Sequence, residues 1–272
     1  GSEKERAELL YKIGRYQLQW QVTEIIGQDA PDAESRIIAA ETVFLGDIDG
    51  ARRSELMQLC YRNHRTVIFR ANLEDIIVSN ARQAVIDDVP FLEMEAWRMT
   101  LGQRVTKRLM DMIFSFAALV VFSPVMLLCA IAIRLEDGKP AIFKQQRITL
   151  RGREFTVYKF RTMRSDANEQ QSVVQGDGRI TRVGEFLRRT RMDELPQLWN
   201  ILKGDMSLVG PRPEMLDNVT KYKLQLPTFA YREKMKAGLT GLAQIEGKYN
   251  TTPEDKLMLD LMYIESFSVW LD

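Results

Sequence analysis

Over residues 1–93, short apolar runs with strand character alternate with stretches of helical period. Leu9, Leu10, Ile13 and Tyr16 fall at helical spacing within Glu3–Tyr16, and Trp20–Ile26 then reads as a strand. After a polar loop containing Pro31, Thr42–Leu45 and Thr66–Phe69 read as strands, with helices over Ala51–Tyr61 and Leu73–Arg82. Strands alternating with helices predict a parallel α/β layer. The series opens on a helix with no strand before it, which predicts a beginning inside a larger α/β domain. The turn between Gly46 and Gly50 lacks a dinucleotide-binding fingerprint and reads as ordinary turn chemistry.

From Met94 the pattern changes. Trp97, Leu101, Val105 and Leu109 recur at i+4 steps, with Arg98, Arg104, Lys107 and Arg108 on other faces. A basic amphipathic helix carrying a tryptophan suits a membrane surface. Met112–Ile133 follows without a charged residue. As a straight helix it would measure roughly 33 Å, enough to span a bilayer. Ser123-Pro124 falls at its centre, where proline removes a backbone donor. Cations flank both ends, where a span should show asymmetry. Together these predict a helix that enters the bilayer, turns at Ser123 and Pro124, and leaves by the same face. The carbonyl freed at the break would be satisfied by Ser123 and by protein contacts.

The last segment, 138–272, opens on a predicted hairpin, Ala141–Leu150 and Glu154–Phe160, joined at Arg151-Gly152-Arg153. A polar loop, Asp166–Gly178, precedes an amphipathic helix over Ile180–Arg189. The apolar residues of Lys256–Asp272 repeat in helical fashion. Three segments result: a partial Rossmann-like α/β module (1–93), an interfacial and re-entrant membrane segment (94–137), and a mainly helical α+β domain with a β-hairpin (138–272).

Composition narrows the chemistry. The net charge of +1 supplies no global field toward nucleic acid, and no aromatics interleave the arginine cluster. Two distant cysteines give neither a disulfide framework nor a zinc spacing. The single histidine, His64, lies far from the polar motifs, so a bound metal would be held by oxygen, which favours Mg²⁺. No P-loop or dinucleotide glycine motif is present.

The densest chemistry lies in RRTRMDELPQLWNILKGDMSLVGPRP, residues 188–213. Adjacent carboxylates, Asp193 and Glu194, follow Arg188, Arg189 and Arg191. Neighbouring helical side chains diverge by about 100°, so the two carboxylates cannot do one job in one place. Arginines suit phosphate oxygens. Acids set among arginines point to phosphate chemistry assisted by a hard cation. Pro211-Arg212-Pro213 fixes φ on both sides of Arg212 and reads as a rigid arm.

These motifs, with KFRTM at 159–163, the apolar segment broken at Ser123-Pro124, and DLMYIESFS at 260–268, resemble the bacterial sugar transferases, the monotopic polyprenyl-phosphate hexose-1-phosphate transferases. The likeness runs from about Lys107 to Asp272. It implies transfer of a sugar 1-phosphate from a UDP-sugar to a polyprenyl (undecaprenyl) phosphate with release of UMP, priming a surface polysaccharide or glycoconjugate. It further implies attachment at the cytoplasmic face of the bacterial inner membrane, and it leaves room for a homodimer. Larger members carry an α/β module resembling a CoA-binding fold after a transmembrane bundle, and members usually continue past VWLD with a further apolar helix. On that resemblance Asp193 is expected as nucleophile, Glu194 with Asp193 as the Mg²⁺ ligands, and Arg188, Arg212 and Lys159 on phosphate. Asp260 and Arg161 match further site positions. Two other readings stay open on the residues: a non-catalytic membrane scaffold or ligand-binding partner of polysaccharide assembly, and the same transfer in one step through a ternary complex.

Overall fold

The computed structural model describes residues 20–27, 30–164, 178–247 and 251–272, with isolated positions between 7 and 14. Most of the helix expected over Glu3–Tyr16 and most of the loop expected over Asp166–Gly178 lie outside the described residues. Two compact units divide between Asn72 and Leu73, ahead of the boundary expected after residue 93.

The first unit contains α1 (Ala33–Ala39), β1 (Thr42–Leu45), α2 (Gly50–Arg62) and β2 (Thr66–Phe69). The strands pair in parallel, Thr42 opposite Thr66 and Leu45 opposite Phe69, so α2 is the crossover that parallel pairing requires. Asp49 caps α2 by accepting from the Ala51 amide at 3.1 Å. Ile37, Leu45, Leu56, Leu59 and Cys60 form the core. The strand expected over Trp20–Ile26 is absent: these residues form no regular structure, and Trp20 meets Phe44 edge-on instead, ring centroids 5.2 Å apart.

The second unit begins with α3 (Leu73–Val78), which stops short of the helix expected to Arg82. Arg82 instead opens an antiparallel hairpin, β3 (Arg82–Ile86) and β4 (Val89–Glu93). Asp87 at its turn takes a left-handed backbone (φ 60°), which Asp tolerates better than most residues. Residues 94–100 are not helical, and Trp97 packs edge-on against Phe267 rather than lying on an interfacial helix.

One helix, α4 (Leu101–Asp137), replaces the two helical pieces expected before and after residue 112. Thr100 and Gln103 form a capping box at its start, and Gly138 ends it in the left-handed region at φ 67°. It passes through Ser123 and Pro124 without dividing. Pro124 has no N–H to give the Val120 carbonyl, and the Ser123 hydroxyl donates to that carbonyl at 2.8 Å instead. One side of α4 packs through Cys129 and Ile133 against Ala141, Phe160 and Leu187. Elsewhere it exposes Ile113, Phe114, Phe116, Val121, Leu127 and Leu128, and it is long and apolar enough to cross a membrane. Its packed side also carries a buried polar row, Lys107, Asp111 and Ser115, at i+4 steps. Asp111 accepts from the Ser207 hydroxyl (2.9 and 3.0 Å) and the Leu208 amide (2.9 Å). Lys107 pairs with Asp272, and Ser115 donates to the Asp111 carbonyl.

The expected hairpin forms as β5 (Ile142–Ile148) and β6 (Glu154–Phe160), with Phe143 opposite Lys159. Then come α5 (Arg182–Arg189), a 3₁₀ turn Met192–Glu194, α6 (Gln197–Lys203), β7 (Ser207–Val209), α7 (Leu216–Gln225), a 3₁₀ segment Pro227–Lys234, β8 (Gly238–Thr240), α8 (Leu242–Ile245) and α9 (Pro253–Glu265). β7 and β8 pair in parallel. Phe155, Val157, Leu198, Ile201, Met206 and Ala237 form the core beneath the acidic pair. A second core, including Phe229, Leu257, Leu261 and Ile264, anchors α9.

Candidate active site

Asp193 and Glu194 sit on the single 3₁₀ turn between α5 and α6. Arg191, which precedes the turn, is left-handed at φ 60°, an uncommon conformation for a residue with a side chain. That reversal breaks α5 and turns both carboxylates toward β6.

Along β6, Phe155 and Val157 point into the core, and strand alternation places Lys159 on the same row. The ammonium is thereby carried under the protein surface, where it donates to Glu194 Oε1 at 3.0 Å. Asn200, fully buried on α6, fixes the spacing of strand and helix. Its Nδ2 donates to the Thr156 carbonyl at 2.7 Å, and its Oδ1 accepts from the Tyr158 amide at 3.1 Å.

Arg212 approaches the same carboxylate from the other side, Nη2 lying 3.7 Å from Glu194 Oε1. The Pro211-Arg212-Pro213 arm is tied at all three carbonyls. Pro211 accepts from the Gly238 amide (2.9 Å), Arg212 from Arg232 Nη2 (2.8 Å) and Pro213 from Arg147 Nη1 (3.0 Å). Glycine is needed where the arm leaves β7: a Cβ on Gly210 would lie 2.4 Å from the Lys236 carbonyl oxygen.

Opposite environments act on the two acids. Burial raises the pKa of Asp193 above the ordinary carboxylate range, against the pull of Lys159, Arg188 and Arg191 and with the push of Glu194. Glu194 is also penalised by burial, but Lys159 and Arg212 outweigh that and hold it below its usual value. Lys159 is itself lowered by burial, with Glu194 opposing. Asp193 Oδ1 is buried with no hydrogen-bond partner, an expensive state unless a ligand supplies one. That orphan oxygen and its neighbouring acid suit a hard divalent cation held by one or two carboxylates, with phosphate oxygens completing the shell. Among the described residues no three His, Cys, Asp or Glu side chains converge on one point.

The remaining expected residues are distributed as follows. Arg188 Nε donates to the Thr162 hydroxyl at 2.8 Å and adds positive field at Asp193. Arg161 Nε donates to the Pro140 carbonyl at 3.1 Å. Asp260, almost fully buried, forms an ion pair with Arg232 Nη2 at 2.7 Å and so stands behind the Arg212 arm. Burial raises its pKa to about 6 despite Arg232. Ser123 and Pro124 lie within α4. Sequence reasoning missed Arg147, Asn200 and Gln197. Gln197 follows Glu194 by three residues, a spacing that itself could have drawn attention to it.

A buried acid with an orphan oxygen, a cation-clamped neighbour and an arginine arm tied at three carbonyls have the chemistry to handle phosphate, and comparison with known proteins gives the chain a family. The sequence profile of the bacterial sugar transferases matches residues 102–272. The chain belongs to the bacterial sugar transferase family. It is 43% identical over 171 residues to a UDP-N-acetylgalactosamine-undecaprenyl-phosphate N-acetylgalactosaminephosphotransferase of Aeromonas hydrophila, covering 61% of this chain and 40% of that protein. It is 43% identical over 173 residues to a UDP-glucose:undecaprenyl-phosphate glucose-1-phosphate transferase of Caulobacter vibrioides, covering 61% and 65%. A transferase of the latter name from Xanthomonas campestris pv. campestris is 41% identical over 238 residues, covering 84% and 49%. The chain thus spans less than two thirds of each of these relatives. Two sugar transferases naming different sugars match at the same 43%, so identity does not rank the sugars.

Proposed function

We propose that this bacterial sugar transferase moves a sugar 1-phosphate from a UDP-sugar to undecaprenyl phosphate, by way of a covalent Asp193 adduct. The observation that carries the reading is the opposite treatment of two adjacent acids. A carboxylate held above its ordinary pKa is the more basic and hence the better nucleophile once ionised. Glu194, ion-paired twice, is suited to hold charge in place. In the first step an Asp193 carboxylate oxygen attacks the sugar-bearing phosphorus. The bond from that phosphorus to the bridging oxygen breaks, and UMP leaves with the bridging oxygen. In the second step an oxygen of the polyprenyl phosphate attacks the same phosphorus and expels the Asp193 carboxylate. Lys159, Arg188 and Arg212 neutralise approaching phosphate oxygens, the main task when two anions must meet. A Mg²⁺ held by Asp193 and Glu194 supplies, when bound, further neutralisation of the transferring phosphate.

The exposed apolar side of α4 supports attachment to a membrane, which this reading places at the cytoplasmic face of the bacterial inner membrane. In this reading α4 turns at Ser123-Pro124, returns to the face it entered, and leaves Asp193 near the lipid phosphate. The N-terminal βαβ unit fits a partial Rossmann-like module. Cysteines placed at Thr106 and Asp137 should be labelled from one side of the membrane; labelling from opposite sides rejects re-entry.

The test of the chemistry uses donor labelled in its sugar-bearing phosphate, without acceptor. Intact-protein mass spectrometry should show one sugar phosphate added on the peptide holding Asp193, discharged when undecaprenyl phosphate is supplied. Asp193→Asn should form no adduct. Turnover that requires both substrates together, with no adduct at any time, selects the one-step route.

A further inference from the structure

A cleft beside the acidic pair is lined by Arg147, Lys159, Glu194, Gln197, Arg212 and the backbone about Gly238. Three of these side chains are cationic and one is anionic, so the lining is short of negative charge. Arg147 is the unusual member. Its two terminal nitrogens donate to neutral acceptors, Pro213 O at 3.0 Å and Gln145 Oε1 at 2.5 Å. Its Nε is buried and has no hydrogen-bond partner. Burial lowers its pKa to about 10, well short of removing its charge near neutrality. Gln197 adds a second orphan: the side chain is 2% exposed and its Nε2 has no partner. A buried amide donor without an acceptor costs free energy, and so does the unmet Nε–H of a buried guanidinium, although the Glu214 and Glu194 carboxylates offset part of its charge. An anion carrying about two negative charges and several acceptor oxygens removes both deficits.

We infer that Arg147 and Gln197, with Lys159 and Arg212, form a second phosphate subsite on the Glu194 side of the acidic pair, holding a phosphate other than the one Asp193 attacks. The inference rests on the reading that this centre takes phosphorylated substrates. Two phosphates have the required chemistry, that of the departing nucleoside monophosphate and that of the polyprenyl phosphate. Lys159 and Arg212 reach the subsite while also clamping Glu194, so an occupant would be felt by the acid that steadies Asp193. Gln197 supplies a neutral, directional donor that a charge count alone would not reveal.

The deciding experiment measures affinity for UMP, for inorganic phosphate and for undecaprenyl phosphate in nanodiscs, on the wild-type chain and on Gln197→Met. Methionine keeps the length of the side chain and removes the donor. Because Nε2 bonds nothing within the protein, the melting temperature should stay the same or rise. Affinity for at least one phosphate probe should fall about tenfold, the usual size of a lost hydrogen bond to a charged group. A loss confined to UMP assigns the subsite to the leaving group, and one confined to the lipid assigns it to the acceptor. Loss of both means the two substrates use it in turn. Should Gln197→Met fail to fold, Gln197→Glu, of the same shape with an acceptor in place of the donor, carries the test. Unchanged affinity for all three probes overturns the inference even if the wild type turns over normally. A wild type that binds none of them and releases no UMP defeats the proposed function itself.

Discussion

Lys159 Nζ donates to Glu194 Oε1 at 3.0 Å from the core-facing row of its strand, so the cation at the acidic pair is held by the packing of Phe155 and Val157. The same ammonium draws the Asp193 pKa down, against burial. Removing it should therefore move the acid limb of kcat/KM to higher pH, because Asp193 must lose its proton to react. Lys159→Met should show that displacement along with a large fall in rate. A limb that stays in place while the rate falls would mean that Asp193 is not the group titrating there.

Glu194→Gln keeps the shape of the side chain and removes the charge that Lys159 and Arg212 hold. Transfer should slow by roughly 10²–10⁴-fold, the usual scale for a preorganised electrostatic contact. The apparent affinity for Mg²⁺ should fall with it. Activity measured across a Mg²⁺ titration checks both, and an unchanged Mg²⁺ midpoint would remove Glu194 from the ligand set.

Asn200 bonds two successive parts of the β6 backbone and holds strand to helix. Asn200→Leu leaves the Thr156 carbonyl and the Tyr158 amide without those partners. Stability should drop by about 2–6 kcal/mol, since each of the two orphaned buried groups costs about 1–3 kcal/mol. Urea midpoints at constant m-value give the measurement, and a loss within about 0.5 kcal/mol, the range of ordinary surface changes, would deny the clamp.

Asp260 carries a pKa raised from 3.8 to about 6 by burial. Between those values the folded protein holds a proton that the unfolded chain has released, so the contribution of Asp260 is present at low pH and is lost as pH rises through about 6. Relative to Asp260→Asn, the wild type should lose on the order of 2–3 kcal/mol between pH 4 and 7. Turnover of the variant should fall at neutral pH, because Arg232 loses the carboxylate that aims it at the Arg212 carbonyl. Parallel stability curves for the two proteins would contradict this account.

Where local pattern governs, the sequence was a good guide. β1, β2 and β6 occupy the residues that alternation and turn chemistry indicate, and the hairpin β5–β6 turns where Arg151-Gly152-Arg153 suggested. Lys159 and Arg212 both reach Glu194, with Asp193 beside it on the same 3₁₀ turn. Local pattern failed where tertiary contacts decide. The apolar run after Leu73 continues as a helical pattern, yet Arg82 pairs across a hairpin with Glu93. Arg147 stands out only when its unmet hydrogen bond can be counted in three dimensions, and that of Gln197 adds to the hint its spacing from Glu194 already gave.

The buried polar row on α4 bears on the order in which the protein can be made. Asp111 waits for Ser207, 96 residues later in the chain, and Lys107 waits for Asp272, 165 residues later. Until those partners emerge from the ribosome, the apolar helix carries two charges that neither lipid nor a dry interior would accept without cost. Stable seating of its first turns therefore has to follow synthesis and folding of the body beneath them, so a nascent chain halted between residues 137 and 207 should be extracted from membranes more easily than the finished one.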